Sequence, residues 1–361
     1  MVARQAAGLA HMAVEGCMEA NAMEHGDRGV VVRVEGLEKT FKDFWGRSRV
    51  RAVSGISFTV RRGGVFGLLG PNGSGKSTTL KILLGLLHPS AGSVMVLGAS
   101  PREVAVKSRI GYLPEESPLY PYLSAWETLD FFGRLFAVAS EERRERIGQL
   151  LAMVGLSHAR DRAVGEFSKG MLRRMGLAQA LINNPELVLL DEPTAGLDPV
   201  GCRQVKDLIL GLAQHGKTVI LCSHLLADVE AVCDHIAILH NGRICTSGAM
   251  RDLLAEPGSV RITVPALDPG RAADIVAWIR QSTGQDVTWE HPMKALERLF
   301  LDVVAQGGTG ATPTGVAESA GIADFLVGGR SVENRAAVPQ GLARVTGDDA
   351  PSASEKPRRT E

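Results

Sequence analysis

Short apolar runs alternate along this chain with longer stretches of helical spacing. Residues 30–34 (Val-Val-Val-Arg-Val) are rich in β-branched side chains, and residues 56–60 (Ile-Ser-Phe-Thr-Val) alternate apolar and polar positions as a half-exposed strand does. The runs 65–69 (Val-Phe-Gly-Leu-Leu), 187–190 (Leu-Val-Leu-Leu) and 218–222 (Thr-Val-Ile-Leu-Cys) are apolar almost throughout, the pattern of strands buried on both faces of a parallel sheet. Runs 93–97 and 110–114 add two more strands. Helical spacing of leucine and isoleucine covers 78–87, a helix follows over 171–183, and another leaves the turn at 195–199 to end at Gln214. Between the strands, 119–155 reads as an all-helical insertion with Trp126, Leu129, Phe132 and Phe136 on one face. The charged run 141–146 is expected to face solvent. Strands alternating with helices predict an α/β fold.

That pattern divides the chain. Residues 29–257 form the main domain. Residues 1–28 read as a disordered arm: Gly8, His11 and Glu15 break the apolar core that a secretory signal needs, and Met12, Met18 and Met23 are candidate later starts. Residues 258–306 predict strand, helix, strand, helix at 260–264, 269–281, 286–290 and 293–304, a small α+β appendage. Residues 307–361, rich in glycine, alanine, serine and proline, predict a disordered tail that buries little surface.

Composition mostly excludes. Formal net charge is zero over 361 residues, so no global field argues for nucleic acid or an anionic surface. The five cysteines (Cys17, Cys202, Cys222, Cys233, Cys245) lack paired spacing and are expected to be buried thiols in a reducing cytoplasm, not a disulfide frame or a zinc site. No apolar run reaches the roughly 18 residues of a membrane helix.

The chemistry centres on residues 70–77, Gly-Pro-Asn-Gly-Ser-Gly-Lys-Ser, which fit the phosphate-cradling pattern of glycine, four residues, glycine, lysine and a hydroxyl residue. A strand precedes them and a helix follows, the context a chance glycine-rich turn would lack. Glycines let successive N–H groups converge on phosphate oxygens, and the helix adds the positive end of its dipole. Lys76 would reach the β- and γ-phosphates, and Ser77 would ligate magnesium. The strand at 187–190 ends in Asp191 and Glu192. A strand tip there can fix Asp191 beside magnesium while Glu192, pointing the other way, polarises the attacking water. His224 lies just past another strand end, where ligands gather in open α/β sheets. Ser168 and Gly170 at a helix start offer a second anion site, although plain capping explains the serine as well. Near Phe41, Phe44 and Trp45, one aromatic ring could stack on a base or plug a loop.

In this order the elements resemble the ATP-binding subunit of an ABC transporter, exporter-type, over roughly 30–254. Residues 70–77 match the Walker A sequence, Glu115 stands at the Q-loop position and 167–171 at the signature. Asp191 and Glu192 match Walker B and its catalytic carboxylate, 195–198 the D-loop, and His224 the switch histidine. Phe41 most nearly fits the adenine-stacking aromatic, with Phe44 and Trp45 as rivals. The resemblance implies ATP and Mg2+ as cofactors. It implies catalytic roles for Lys76, Glu192 and His224, and magnesium contacts from Ser77, Asp191 and Glu115. Nucleotide contacts would come from Phe41, Gly70, Pro71, Asn72, Gly73, Ser74, Gly75, Lys76, Ser77, Thr78, Glu115, Ser168, Gly170 and Asp198.

The fold so implied is a P-loop NTPase ABC cassette. It has a RecA-like mixed-sheet core, an antiparallel β subdomain and a helical subdomain at about 116–180, followed by the appendage. The implied partners are a separately encoded membrane permease and a second copy of the cassette on ATP binding, with no nucleic acid, and the implied place is the cytoplasmic face of the membrane. Two motifs depart from the family pattern: the signature reads Phe-Ser-Lys-Gly-Met instead of Leu-Ser-Gly-Gly-Gln, and Glu115 replaces the Q-loop glutamine. A soluble ABC ATPase acting on ribosomes or DNA fits less well, since this chain has one cassette and a short helical insert. A small-molecule kinase conflicts with Glu192, because a kinase has no use for a water-activating carboxylate.

Overall fold

The apolar runs become the middle of a six-stranded sheet. In this computed structural model, which describes residues 29–42, 48–255, 267–284 and 321–327, nine strands follow one another along the described chain. They are β1 (Val30–Lys42), β2 (Ser48–Arg61), β3 (Val65–Leu69), β4 (Ala91–Val96), β5 (Ile110–Leu113), β6 (Leu187–Asp191), β7 (Thr218–Ser223), β8 (His235–His240) and β9 (Arg243–Ala249). The larger sheet has the order β5-β6-β7-β3-β8-β9, parallel except for the antiparallel β8–β9 pair. β3, β6 and β7 are buried at every residue, as strands covered on both faces must be. A second, antiparallel sheet has the order β2-β1-β4.

Helices cover both faces of the larger sheet: α1 (Lys76–Leu83), α2 (Val104–Lys107), α3 (Ala125–Leu135), α4 (Ser140–Met153), α5 (Lys169–Leu181), α6 (Pro199–Gln214), α7 (Leu226–Val232) and α8 (Met250–Leu253). Because strand side chains alternate, Val188 and Leu190 join a core with α3 to α7, whereas Leu187 and Leu189 join one with α1 and the antiparallel sheet. The parallel register sets Leu69 opposite Ser223 and Asp191 opposite Cys222. The loops after β3, β6 and β7 therefore leave the sheet at one edge, and the site is built there.

The helical insertion is two helices, broken at Ala137, whose φ is 56°. Ser124 starts the first with a reciprocal capping box to Glu127. The charged run 141–146 only partly faces water. Arg143 is buried and pairs with Asp130 at 2.6 Å, and Arg146 donates to the Ile182 carbonyl at 2.8 Å. The helical period turns one arginine toward each neighbouring helix while the glutamates stay outside.

The β8–β9 hairpin, which the apolar runs did not predict, turns at Asn241 and Gly242, with φ of 48° and 74°. Of the predicted appendage, the helix appears as α9 (Pro269–Thr283), begun by an Asp268 cap and ended by Gly284 in the left-handed region. The segments 260–264, 286–290 and 293–304 lie outside the described residues, as do the arm 1–28, Phe44 and Trp45. The tail departs from its expected disorder at 321–327, which includes α10 (Asp324–Val327). Ala323 and Leu326 there are buried in the core cluster that contains α4 and α6. An apolar island of isoleucine, phenylalanine and leucine sits inside the polar tract and finds a surface to cover.

Candidate functional site

The loop between β3 and α1 is shaped by residues that only glycine tolerates. Gly75 has φ 105°, and a Cβ there would lie 2.5 Å from the Ala52 carbonyl oxygen. Gly70 is equally confined, with a Cβ falling 2.2 Å from the Leu239 carbonyl oxygen. Gly75 also N-caps α1 without a side-chain acceptor, so the first-turn N–H groups are not capped from within the loop. Pro71, Asn72 and Gly73 lie exposed at the tip, Ser74 is buried, and Ser77 and Thr78 are half-buried at the helix start. Lys76 is buried, and its Nζ donates to the carbonyls of Gly70 at 2.7 Å and Pro71 at 3.3 Å.

Asp191 and Glu192 reach this loop from the tip of β6. The Ser77 hydroxyl hydrogen-bonds the Asp191 carboxylate, while Asp191 Oδ1 is buried without a hydrogen-bond partner. Burial holds the Asp191 pKa above the usual carboxylate range, opposed by Ser77 and reinforced by the charges of Glu115 and Glu192. Glu192 Oε1 lies 2.9 Å from His224 Nδ1 and 4.0 Å from Lys76 Nζ, and Ser223 donates to Oε2 at 3.4 Å. Glu192 holds this position with φ of 51°, a left-handed conformation unusual for a non-glycine residue. The geometry thus brings Lys76, Ser77, Asp191, Glu192 and His224 together.

The remaining predicted residues lie apart. Glu115 is exposed in the loop after β5 and acts on Asp191 through charge. Phe41 is 39% exposed at the end of β1, with Lys39 Nζ 5.2 Å from its ring centre. Ser168 caps α5 by accepting from the Met171 N–H at 3.2 Å, and Gly170 faces Leu197. Asp198 caps α6 by accepting from the Gly201 N–H at 2.9 Å. No hydrogen bond or ion pair joins Ser168 or Asp198 to the phosphate loop among the described residues. Two contributors went unread in the sequence: Ser223, adjacent to His224, and Arg173 on α5, whose guanidinium reaches the carbonyls of Asp191 and Glu192. Adjacency to a strand end could have flagged Ser223. Nothing in the spacing separates Arg173 from Arg174.

Among the described residues, no three His, Cys, Asp or Glu side chains cluster as a metal cage. The donors on hand for a cation are the Ser77 hydroxyl and the partnerless Asp191 oxygen, a hard oxygen set that suits magnesium shared with phosphate.

A glycine-rich loop running into a helix, with a carboxylate pair on a neighbouring parallel strand, defines a P-loop nucleoside triphosphatase. The family model described as "ABC transporter" matches residues 53–195. An uncharacterised ABC transporter ATP-binding protein of Synechocystis sp. is 42% identical over 264 residues, 72% of this chain and 74% of its own length. The fluoroquinolones export ATP-binding protein of Mycobacterium tuberculosis is 42% identical over 65% of this chain and 76% of its own. A solved dimeric ATP-binding cassette, MJ0796 in a post-hydrolysis state bound to ADP and Pi, superposes with a TM-score of 0.57 at 27% identity, covering 61% of this chain and 99% of that one. The chain belongs to the ATP-binding subunits of ABC transporters: it binds and hydrolyses ATP and powers transport through a separate permease.

Proposed function

We propose that this subunit drives export, and that two copies close head to tail on ATP and Mg2+ beneath a membrane permease. The observation that carries the site assignment is the convergence of Lys76, Ser77, Asp191, Glu192 and His224 at one sheet edge. Lys76 binds the β- and γ-phosphates, and Ser77 with Asp191 holds Mg2+, which when bound neutralises charge on the phosphates. Glu192 Oε1 accepts the proton of the attacking water, and His224 orients that carboxylate through the 2.9 Å contact. Phe41 offers its exposed ring to adenine.

Ser168 and Asp198 cap their own helices, and neither they nor Gly170 contacts the phosphate loop of their own chain through any hydrogen bond or ion pair among the described residues. They supply the missing side of the triphosphate to the other copy. Export names among the relatives, for fluoroquinolones and for Nod factor, support the direction. No described helix is long and apolar enough to cross a membrane, so the pathway belongs to the partner. Exposed Tyr120 and Tyr122, on the loop that Glu115 opens, and exposed Phe131 and Leu135 on α3 offer apolar surface suited to that partner, on the cytoplasmic face.

Light scattering of Glu192→Gln with Mg2+ and ATP tests the shared site. The expected result is a nucleotide-dependent dimer that Ser168→Arg returns to monomer. A dimer indifferent to Ser168→Arg would refute the head-to-tail arrangement. Lys76→Ala should lose most ATP turnover with its fold intact, and wild-type turnover would refute the phosphate site.

A further inference from the structure

One side chain on α5 turns toward neither solvent nor a carboxylate. Arg173 is 6% exposed. Its Nε donates to the Pro193 carbonyl at 3.2 Å, and Nη1 donates to those of Pro114 at 2.5 Å and Glu115 at 2.9 Å. Nη2 donates to the carbonyls of Asp191 and of Glu192, the latter at 2.5 Å. A guanidinium has five N–H groups in one fixed plane, and here they serve two loops, one after β5 and one after β6. Four of these carbonyls, those of Pro114, Glu115, Glu192 and Pro193, lie past the last strand pairs, Leu113 with Leu190 and Asp191 with Cys222, and that of Glu192 also accepts from the Ala195 N–H at 3.1 Å. Glu192 then turns into the left-handed region at φ 51°. Such a turn persists only where its surroundings over-determine it.

We propose that Arg173 is a positioning residue for ATP hydrolysis: it fixes the Asp191–Glu192 backbone turn that aims the Glu192 carboxylate, and ties the Glu115 loop to it as one unit. This rests on the reading of Glu192 as the group that activates water. The Glu115 loop leads into the helical insertion and lies beside the exposed aromatic cluster, so a displacement there reaches the carboxylate pair through one guanidinium. Lysine cannot replace it. An ammonium keeps the charge but supplies three donors from a single point, too few and too close to span both loops.

The test uses the purified full chain with Arg173→Lys and Arg173→Ala, alongside Glu192→Gln. In Arg173→Lys, kcat should fall roughly a hundredfold, the cost of an ångström-scale misplacement, while KM for ATP and the affinity for a fluorescent ATP analogue hold. Arg173→Ala should regain turnover in millimolar guanidinium and not in equal methylammonium, because the cavity and its carbonyls are shaped for a planar fork. A folded Arg173→Lys with normal kcat overturns the proposal. So do equal losses of nucleotide affinity, melting temperature and kcat without guanidinium rescue, or failure of both variants to fold, which assign Arg173 a purely structural role. If Glu192→Gln hydrolyses ATP normally, the reading of Glu192 fails instead, and the two failures are thereby told apart.

Discussion

Glu115 stands where the family resemblance leads one to expect a neutral glutamine, and its carboxylate acts on the buried Asp191 from an exposed loop. Both would sit near phosphate oxygens, so like charges meet where none is needed. Glu115→Gln is expected to keep or raise ATP turnover measured at saturating Mg2+ and ATP. A collapse in turnover would mean that the carboxylate serves as a ligand or base. The main actors at this scale were legible because each is tied to a strand end: Lys76 and Ser77 follow β3, Asp191 ends β6 and His224 follows β7. Arg173 was not, since its partners are backbone carbonyls and a carbonyl has no letter in a sequence. Ser168 was legible as a helix start, and the structure gives it that capping role; Asp198, expected as a nucleotide contact, caps α6 within the chain.

At the level of elements, strands were read more surely than the helical insertion. β3 and β6 match their apolar runs almost residue for residue, because burial on both faces leaves no other composition. The β8–β9 hairpin had a short-range signal in Asn241-Gly242, the pair that tolerates two successive positive φ values, and apolar periodicity alone passed over it. In α4 the charged run concealed a bridge. Asp130 on α3 accepts from Arg143 at 2.6 Å and from Arg134 at 2.7 Å.

Burial pushes the Asp130 pKa up, but these hydrogen bonds outweigh it and hold the group below its ordinary 3.8. A depressed carboxylate pKa contributes stability that is present above the ordinary value and lost as pH falls through the folded one. Asp130→Asn is therefore expected to cost about 1–3 kcal/mol at neutral pH, by removing a charged hydrogen-bond acceptor from Arg143. Urea titrations of the two proteins should converge only as pH falls below the ordinary 3.8 and through the still lower folded value, where Asp130 is neutral in both states. A gap that persists there would mean that packing, not charge, is what the substitution lost.

For the molecule as a whole, the contact made by 321–327 joins parts that are distant in sequence. Phe325 lies under the Arg146 guanidinium at 4.8 Å, and its N–H donates to Gln149 Oε1 at 3.4 Å, both on α4. Ile322 covers Gly211 on α6 so closely that a Cβ there would come within 2.7 Å of its Cδ1. The segment thus bridges the helical insertion and the nucleotide core. Its apolar side chains gain about 1.5–3 kcal/mol each on full burial, while each ordered residue costs about 1–2 kcal/mol, so the net docking energy is small.

A chain ending at Ala320 is accordingly expected to melt about 2–8 °C lower, from a loss of about 1–2 kcal/mol. An unchanged melting temperature would mean that the segment does not hold in solution. Gly211→Ala sharpens the test, because its sign should depend on the tail. In the shortened chain, alanine improves a helix interior by about 1 kcal/mol and should raise the melting temperature. In the full chain the added methyl meets Ile322, and the gain should vanish or reverse. Equal effects of Gly211→Ala in both chains would show that Ile322 and Gly211 are not in contact, and that the fall in melting temperature on shortening has another source.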